Sequence, residues 1–215
     1  MSTQERGDVA RPGESAPNAK PLFESMKYFK HRFEHLEYHR ERMDRSRKSL
    51  LGLSDSLDLH AIVPPAGLSE GLYKCRVVYG TRIDSVEFSR YVPRPLRRLA
   101  LVNDDRISYE HKFVDRAQLN ALAASHPEAD DVIVVRRGLL ADARYANIAL
   151  FDGRRWSTPA QPLLRGTCRE RLLREGVLVE ADIRPEDLRN YRHISLINAM
   201  LELEEIVLPI SQLVP

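Results

Sequence analysis

Residues 147–158 read N-I-A-L-F-D-G-R-R-W-S-T. A short apolar run ends at Asp152-Gly153, the dipeptide that most strongly signals a tight hairpin turn, and a second strand-like stretch follows. A strand over 147–151 turning back on itself makes this half of the chain a sheet. Outward from it the pattern is mixed. Residues 131–135 and 193–197 read as strands, rich in Val and Ile, and 177–183 reads as another. Residues 114–124 suit a helix, and so do 168–175, which Gly176 would stop.

Towards the N-terminus, L-Y-K-C-R-V-V-Y at 72–79 predicts a strand that Gly80 and Thr81 turn into R-I-D-S-V-E-F, and 99–102 predicts the last strand of a first unit. L-F-E-S-M-K at 22–27 predicts a short strand. From Leu36 to Leu51 a helix is expected, with Leu36, Met43, Leu50 and Leu51 on its apolar face and Gly52 at its end. Residues 1–20 mix Pro, Gly, Ser and charge with almost no large apolar side chain, so they read as a disordered tail. The fold class is therefore α/β (α+β), as two small mixed α/β domains at 21–103 and 104–215.

With 215 residues and 43% hydrophobic content the chain can bury a core. It has no apolar run of membrane-spanning length and no apolar leader, so the cytoplasm is the expected compartment. Cys75 and Cys168 have no metal or redox spacing, and a net charge of +2 gives no global argument for nucleic acid or acidic membrane. The Arg-rich stretch R-E-R-M-D-R-S-R-K could track phosphates. Glu37, Glu41 and Asp44 interleave with its arginines at helical spacing, which favours a solvated or dimer-facing helix.

One residue breaks the arginine bias. Lys112, in I-S-Y-E-H-K-F-V-D-R at 107–116, is the only lysine after Lys74. Arginine holds its proton too tightly to act as an amine nucleophile, whereas lysine can be neutralised by burial or a neighbouring cation. Lys74 lies on a strand in the other half and competes poorly. Four further segments follow or precede Lys112 in order: Y-H-R-E-R-M around Arg42, G-L-L-A-D-A-R-Y-A-N at 138–147, S-T-P-A-Q-P-L-L-R-G-T-C-R-E-R-L-L at 157–173, and L-I-N-A-M at 196–200.

That order and spacing resembles the class IV aminotransferases. These are fold-type IV pyridoxal-phosphate enzymes that include branched-chain and D-amino acid transaminases and aminodeoxychorismate lyase. The likeness runs from about Leu22 to Met200. It implies that Lys112 is the Schiff-base lysine and that Asp142 stands where the family has a Glu paired to the pyridine nitrogen. It implies too that Arg42, the helix start at Gly166, Thr167 and Cys168, and the turn at Asn198 and Ala199 surround the phosphate. Arg144 and Arg165 are candidates for substrate carboxylates, and a homodimer is implied. The family's G-D-G-like turn before the first strand is missing, so the first domain looks trimmed.

Each residue also has a plainer use. Arg42 can be a helix-face charge, Asp142 a turn residue after Gly138, and G-T-C-R an ordinary helix start. Tyr145 and Trp156 suit a core. The resemblance implies a 4-amino-4-deoxychorismate lyase or an amino acid aminotransferase; a cofactor-binding protein without turnover is the alternative.

Overall fold

The computed structural model describes residues 20–214, so the tail expected over 1–20 lies outside the described residues except for Lys20. The first sheet is antiparallel, with β1 (Leu22–Phe29) between β2 (Arg32–Phe33) and β3 (Leu72–Tyr79), and β4 (Ile83–Arg90) at the far edge. On one face of β1, Leu22, Met26 and Tyr28 are buried, and β3 buries Tyr73, Cys75, Val77 and Tyr79. This face meets α1 (Leu36–Leu51), which ends where Gly52 takes φ 68 and its N–H reaches the Lys48 carbonyl at 3.2 Å.

The bounds of α1 match the sequence reading, but its inner face does not. The buried residues are His39, Arg42, Met43, Ser46 and Arg47, a clean helical stripe that is mostly polar, while Leu50 is 42% exposed. The polar stripe is satisfied from within. Arg47 donates to the carbonyls of Gly80, Asp55 and Thr81 and pairs with the Asp55 carboxylate, and Arg42 and His39 meet a buried acid on β1. The basic stretch of α1 thus turns two of its arginines into the protein.

The second sheet has nine strands. β5 (Leu99–Asn103), β6 (Asp131–Arg136), β7 (Leu139–Ala143), β8 (Asn147–Phe151), β9 (Trp156–Pro159) and β10 (Leu178–Ala181) form its spine, and β11 (His193–Ile197), β12 (Val207–Pro209) and β13 (Leu213–Val214) complete it. Helices α2 (Ala117–Ala124) and α3 (Thr167–Arg174) lie outside the sheet ladders. The hairpin expected at Asp152-Gly153 is present, with Phe151 opposite Trp156 and Gly153 at φ 102. β5, expected to close the first unit, instead pairs in parallel with β6 and β13. Its nearly all-buried apolar run needs cover on both faces, which the second sheet provides. Leu99, Ile133, Leu140, Ile148, Leu150 and Ile194 form the main core of this sheet. Among the described residues, no helix is long and apolar enough to cross a membrane.

Candidate active site

A cavity of about 630 Å³ is walled by β1 and β3 on one side and by the ends of β7, α3 and β11 on the other. Alternation along β1 sends Phe23 and Ser25 to the cavity and Glu24 towards α1. Glu24 is fully buried. It accepts hydrogen bonds from Arg42 Nε at 2.9 Å, from Arg42 Nη2, and from His39 Nδ1 at 2.7 Å. His39 and Arg42 are three residues apart, so one helical turn brings both onto the same carboxylate. Burial alone would raise Glu24, but the Arg42 charge and the bonds from His39 and Arg42 outweigh it and bring its pKa to about 2. Burial keeps His39 below its ordinary value, with Glu24 offsetting only part of the effect. Arg42, held this way, borders the cavity.

Lys112 sits on a loop stitched to β1. The Phe23 N–H donates to the Lys112 carbonyl at 2.9 Å, and the Val114 N–H donates to the Pro21 carbonyl at 2.9 Å. Tyr109 stiffens the same loop by donating its hydroxyl to the Phe113 carbonyl at 2.7 Å. The Lys112 side chain faces the cavity, with Nζ 4.8 Å from the centre of the Phe23 ring. Burial, then the neighbouring Arg42 charge, pull its pKa down to about 7, against the opposing pull of Glu24. Burial and the Arg42 charge thus make the amine far easier to deprotonate than an ordinary lysine.

Asp142 is on β7, a strand the sequence reading did not anticipate, and it is buried at the cavity wall. Its Oδ1 accepts from Asn147 Nδ2 at 2.7 Å and its Oδ2 from the Leu164 N–H at 2.8 Å. Burial pushes its pKa up to about 6 despite those bonds. Asn147 Nδ2 also donates to the Leu164 carbonyl at 2.8 Å, and its Oδ1 occupies the place a Cβ would take on Gly166. Only glycine leaves room there. That close approach brings the start of α3 to the cavity.

Gly166 and Thr167 line the wall, as do Asn198 and Ala199. Asn198 Nδ2 donates to the Tyr145 carbonyl at 3.1 Å and its Oδ1 accepts from the Met200 N–H at 2.8 Å, so this side chain holds its own turn. The Cys168 side chain is placed differently. It is buried with Ala149, Leu172 and Ile197, its thiol pushed up to about 12 by burial, and only its backbone belongs to the helix start. Arg165 is exposed and off the cavity wall, although its neighbours Leu164 and Gly166 line it. Arg144 does line the cavity, but its Nε is 3.1 Å from Asp131 Oδ1, so its charge is already matched.

Two further expectations change. Lys74, set aside as belonging to the other half, borders the same cavity, because β3 forms one of its walls. Tyr145 is half-exposed rather than a core residue, with the guanidinium carbons of Arg116 and Arg144 at 4.2 and 4.5 Å from its ring centre. Trp156 does pack, on Phe151 at 5.0 Å. Glu24, Asn147, Arg76 and Arg116 were not anticipated from the sequence. The readable signals were the His39/Arg42 spacing, which calls for an acid opposite, and the five-residue step from Asp142 to Asn147.

The family model for amino-transferase class IV matches residues 83–211. The chain belongs to this family. An uncharacterized protein of Haemophilus influenzae is 32% identical over 183 residues, covering 84% of this chain and 97% of that protein. Among solved structures, a Haemophilus somnus protein described as a candidate 4-amino-4-deoxychorismate lyase is 29% identical with a TM-score of 0.75, covering 86% of this chain and 98% of that one. A hypothetical aminotransferase of Mycobacterium tuberculosis, solved in a pyridoxal phosphate-bound form, is 19% identical with a TM-score of 0.71 over 96% of this chain and 88% of its own. At that identity the likeness is one of fold. The mixed α+β architecture is that of the class IV aminotransferases.

Proposed function

We propose that this class IV aminotransferase family member is a pyridoxal phosphate-dependent enzyme, acting as a 4-amino-4-deoxychorismate lyase or, as a second reading, as an amino acid aminotransferase. One observation carries the proposal. A lysine amine with a pKa of about 7 shares a cavity with a buried, raised carboxyl and with a fixed buried arginine. The lyase comes first because the Haemophilus somnus protein so described resembles this chain over nearly its whole length. Family membership supports the aminotransferase.

The residues present fit the cofactor. A cavity of about 630 Å³ is within the range of cofactor and substrate sites. Lys112 would anchor the aldehyde carbon, and Asp142 would accept from the ring nitrogen. Arg42, the N–H groups of Gly166, Thr167 and Cys168, and the turn at Asn198 and Ala199 would hold the phosphate. Pyridoxal phosphate, when bound, supplies an aldehyde that takes up amines and a ring that withdraws electrons from the substrate's α-carbon. With a pKa of about 7, Lys112 Nζ can accept and return a proton near neutral pH. Asp142, ionised above about pH 6, keeps a lone pair on each oxygen for a cationic donor.

The cavity opens beside exposed Arg90, Val92 and Arg94, and Val92 is 73% exposed at this rim. The edge strand β4 adjoins it. We extend the proposal to a homodimer in which a second copy covers this opening and excludes water. Light scattering at twice the chain mass is the expected result, and a single-chain mass at full activity would refute it.

Purified protein with pyridoxal phosphate should show a visible absorption band that borohydride removes, and should release pyruvate and 4-aminobenzoate from aminodeoxychorismate. Lys112→Ala should abolish both band and turnover. A borohydride-reducible band of unchanged stoichiometry in that variant would overturn the assignment of Lys112.

A further inference from the structure

Ser46 is buried on the inner face of α1, one turn beyond Arg42. Its hydroxyl oxygen is 3.0 Å from Nδ1 of His111, the residue that precedes Lys112. A serine within a helix commonly bonds the carbonyl four residues back. This one instead meets a side chain 65 residues further along the chain. The His111 ring also meets Phe113 edge-on at 5.9 Å, and Phe113 packs against the core shared by α1 and the first sheet.

Lys112 is thereby held from two directions. The Phe113 N–H donates to the His111 carbonyl at 2.9 Å, which makes Lys112 the central residue of a three-residue turn. Its own carbonyl accepts the Phe23 N–H from β1, while the side chain before it is tied to α1. Glu24, next to Phe23, binds Arg42, so the contacts close a ring. It runs from Arg42 through Glu24, Phe23, Lys112, His111 and Ser46, and returns to Arg42 along one turn of α1. Without the Ser46–His111 contact, this ring would join Lys112 to Arg42 through β1 alone. Either protonation state of His111 preserves the contact. A bare Nδ1 accepts from the serine hydroxyl, and a protonated Nδ1 donates to the hydroxyl oxygen.

We infer that His111, through Ser46, is a positioning residue that fixes the separation between the Lys112 amine and the Arg42 guanidinium. The site thereby selects a cofactor carrying an aldehyde and a phosphate together over one carrying the aldehyde alone. The inference rests on the proposed roles of Lys112 at the aldehyde and Arg42 at the phosphate. A ligand that must reach both ends gains from a preset separation, because its second contact forms with little further ordering cost. A ligand with the aldehyde alone gains nothing from it.

Titration of the full chain with pyridoxal phosphate and with 5-deoxypyridoxal, which keeps the aldehyde and ring but has no phosphate, tests this without turnover. Occupancy is read as the fraction trapped by borohydride, which registers weak binding. The variants are Ser46→Ala, His111→Phe, which keeps a ring against Phe113, and the two combined. Each single variant should weaken pyridoxal phosphate about tenfold and leave 5-deoxypyridoxal within about twofold, the scale of one lost hydrogen bond. The combined variant should match the single ones, because both remove the same contact. His111→Asn, whose amide keeps a polar atom near the place of Nδ1, should recover part of the loss. Equal weakening of both ligands would mark a merely structural contact and overturn the inference, as would unchanged affinity for pyridoxal phosphate or additive losses in the combined variant. If Ser46→Ala does not fold, His111→Phe, altered at a half-buried position, carries the same comparison. An unaltered protein that forms no borohydride-reducible band with pyridoxal phosphate defeats the role of Lys112, whereas a normal band with indifferent variants defeats only that of His111.

Discussion

Glu24 and Asp142 are both buried carboxyls, one on each sheet, and their surroundings drive them in opposite directions. Burial raises both. At Glu24 the Arg42 guanidinium and the His39 bond reverse the effect and bring the pKa to about 2. At Asp142 the close donors are an amide N–H and a carboxamide, and the pKa stays at about 6. Neutral donors fill lone pairs without supplying countercharge. Glu24 therefore already has its cation and serves to fix Arg42, whereas the two oxygens of Asp142 meet only neutral donors. In the proposed holoenzyme the cation at Asp142 is the protonated ring nitrogen.

The sharpest way to break this contrast is Glu24→Gln. The variant keeps the shape but leaves Arg42 buried without an anion, which should cost about 3–5 kcal/mol of stability. Urea or thermal unfolding would measure it. A loss below about 1 kcal/mol would mean that water or another group already neutralises Arg42, and that the two acids differ less than their partners suggest.

The next largest effect is expected at the other acid. Asp142→Asn preserves size and the Leu164 contact while removing the charge, so turnover should fall about a hundredfold with the visible band retained. Unchanged turnover under saturating cofactor would show that Asp142 faces no cation during the reaction. The contrast would then reduce to one working acid and one unused one.

The sequence showed the chemistry of this site more clearly than its support. The resemblance to the class IV aminotransferases, carried by the order of the segments around Arg42, Lys112, Asp142, Gly166 and Asn198, anticipated residues that the structure brings to one cavity. Glu24 was missed because an acid within a strand reads as an outward position, and only a helix with His39 and Arg42 facing inward makes burial tolerable. The α1 stripe differs for the same reason: the apolar spacing of Leu36, Met43, Leu50 and Leu51 predicts one inner face, whereas a largely polar stripe is buried. β7 escaped because L-L-A-D-A has no β-branched residue and follows a turn at Arg137-Gly138. β5 joins the second sheet rather than the first because its partner begins about thirty residues later, beyond any local pattern. The hairpin at 147–158, whose signals are local, stands as read.

The smallest expected effect is a pH slope of opposite sign for the two acids. Glu24 has a folded pKa below its ordinary 4.5, at about 2, so the unfolded chain binds a proton first as pH falls. Its stabilisation is complete above about pH 4.5 and is lost as pH drops towards 2. Asp142 has a folded pKa above its ordinary 3.8, at about 6, so the folded chain binds the proton first. Its ionised burial weakens the fold above pH 6, and that penalty is relieved as pH falls from 6 towards 4, by about 2 kcal/mol. Cofactor-free protein should therefore gain stability from pH 7 to about 5 through Asp142 and lose it below about 4 through Glu24. Unfolding curves of the unaltered and Asp142→Asn proteins, compared across this range, isolate the first limb, because Asn has no proton to bind. The difference between them should shrink as pH falls from 6 to 4. A difference independent of pH would mean that the Asp142 carboxyl titrates at its ordinary value, and that Asn147 and Leu164 stabilise the anion enough to cancel its burial.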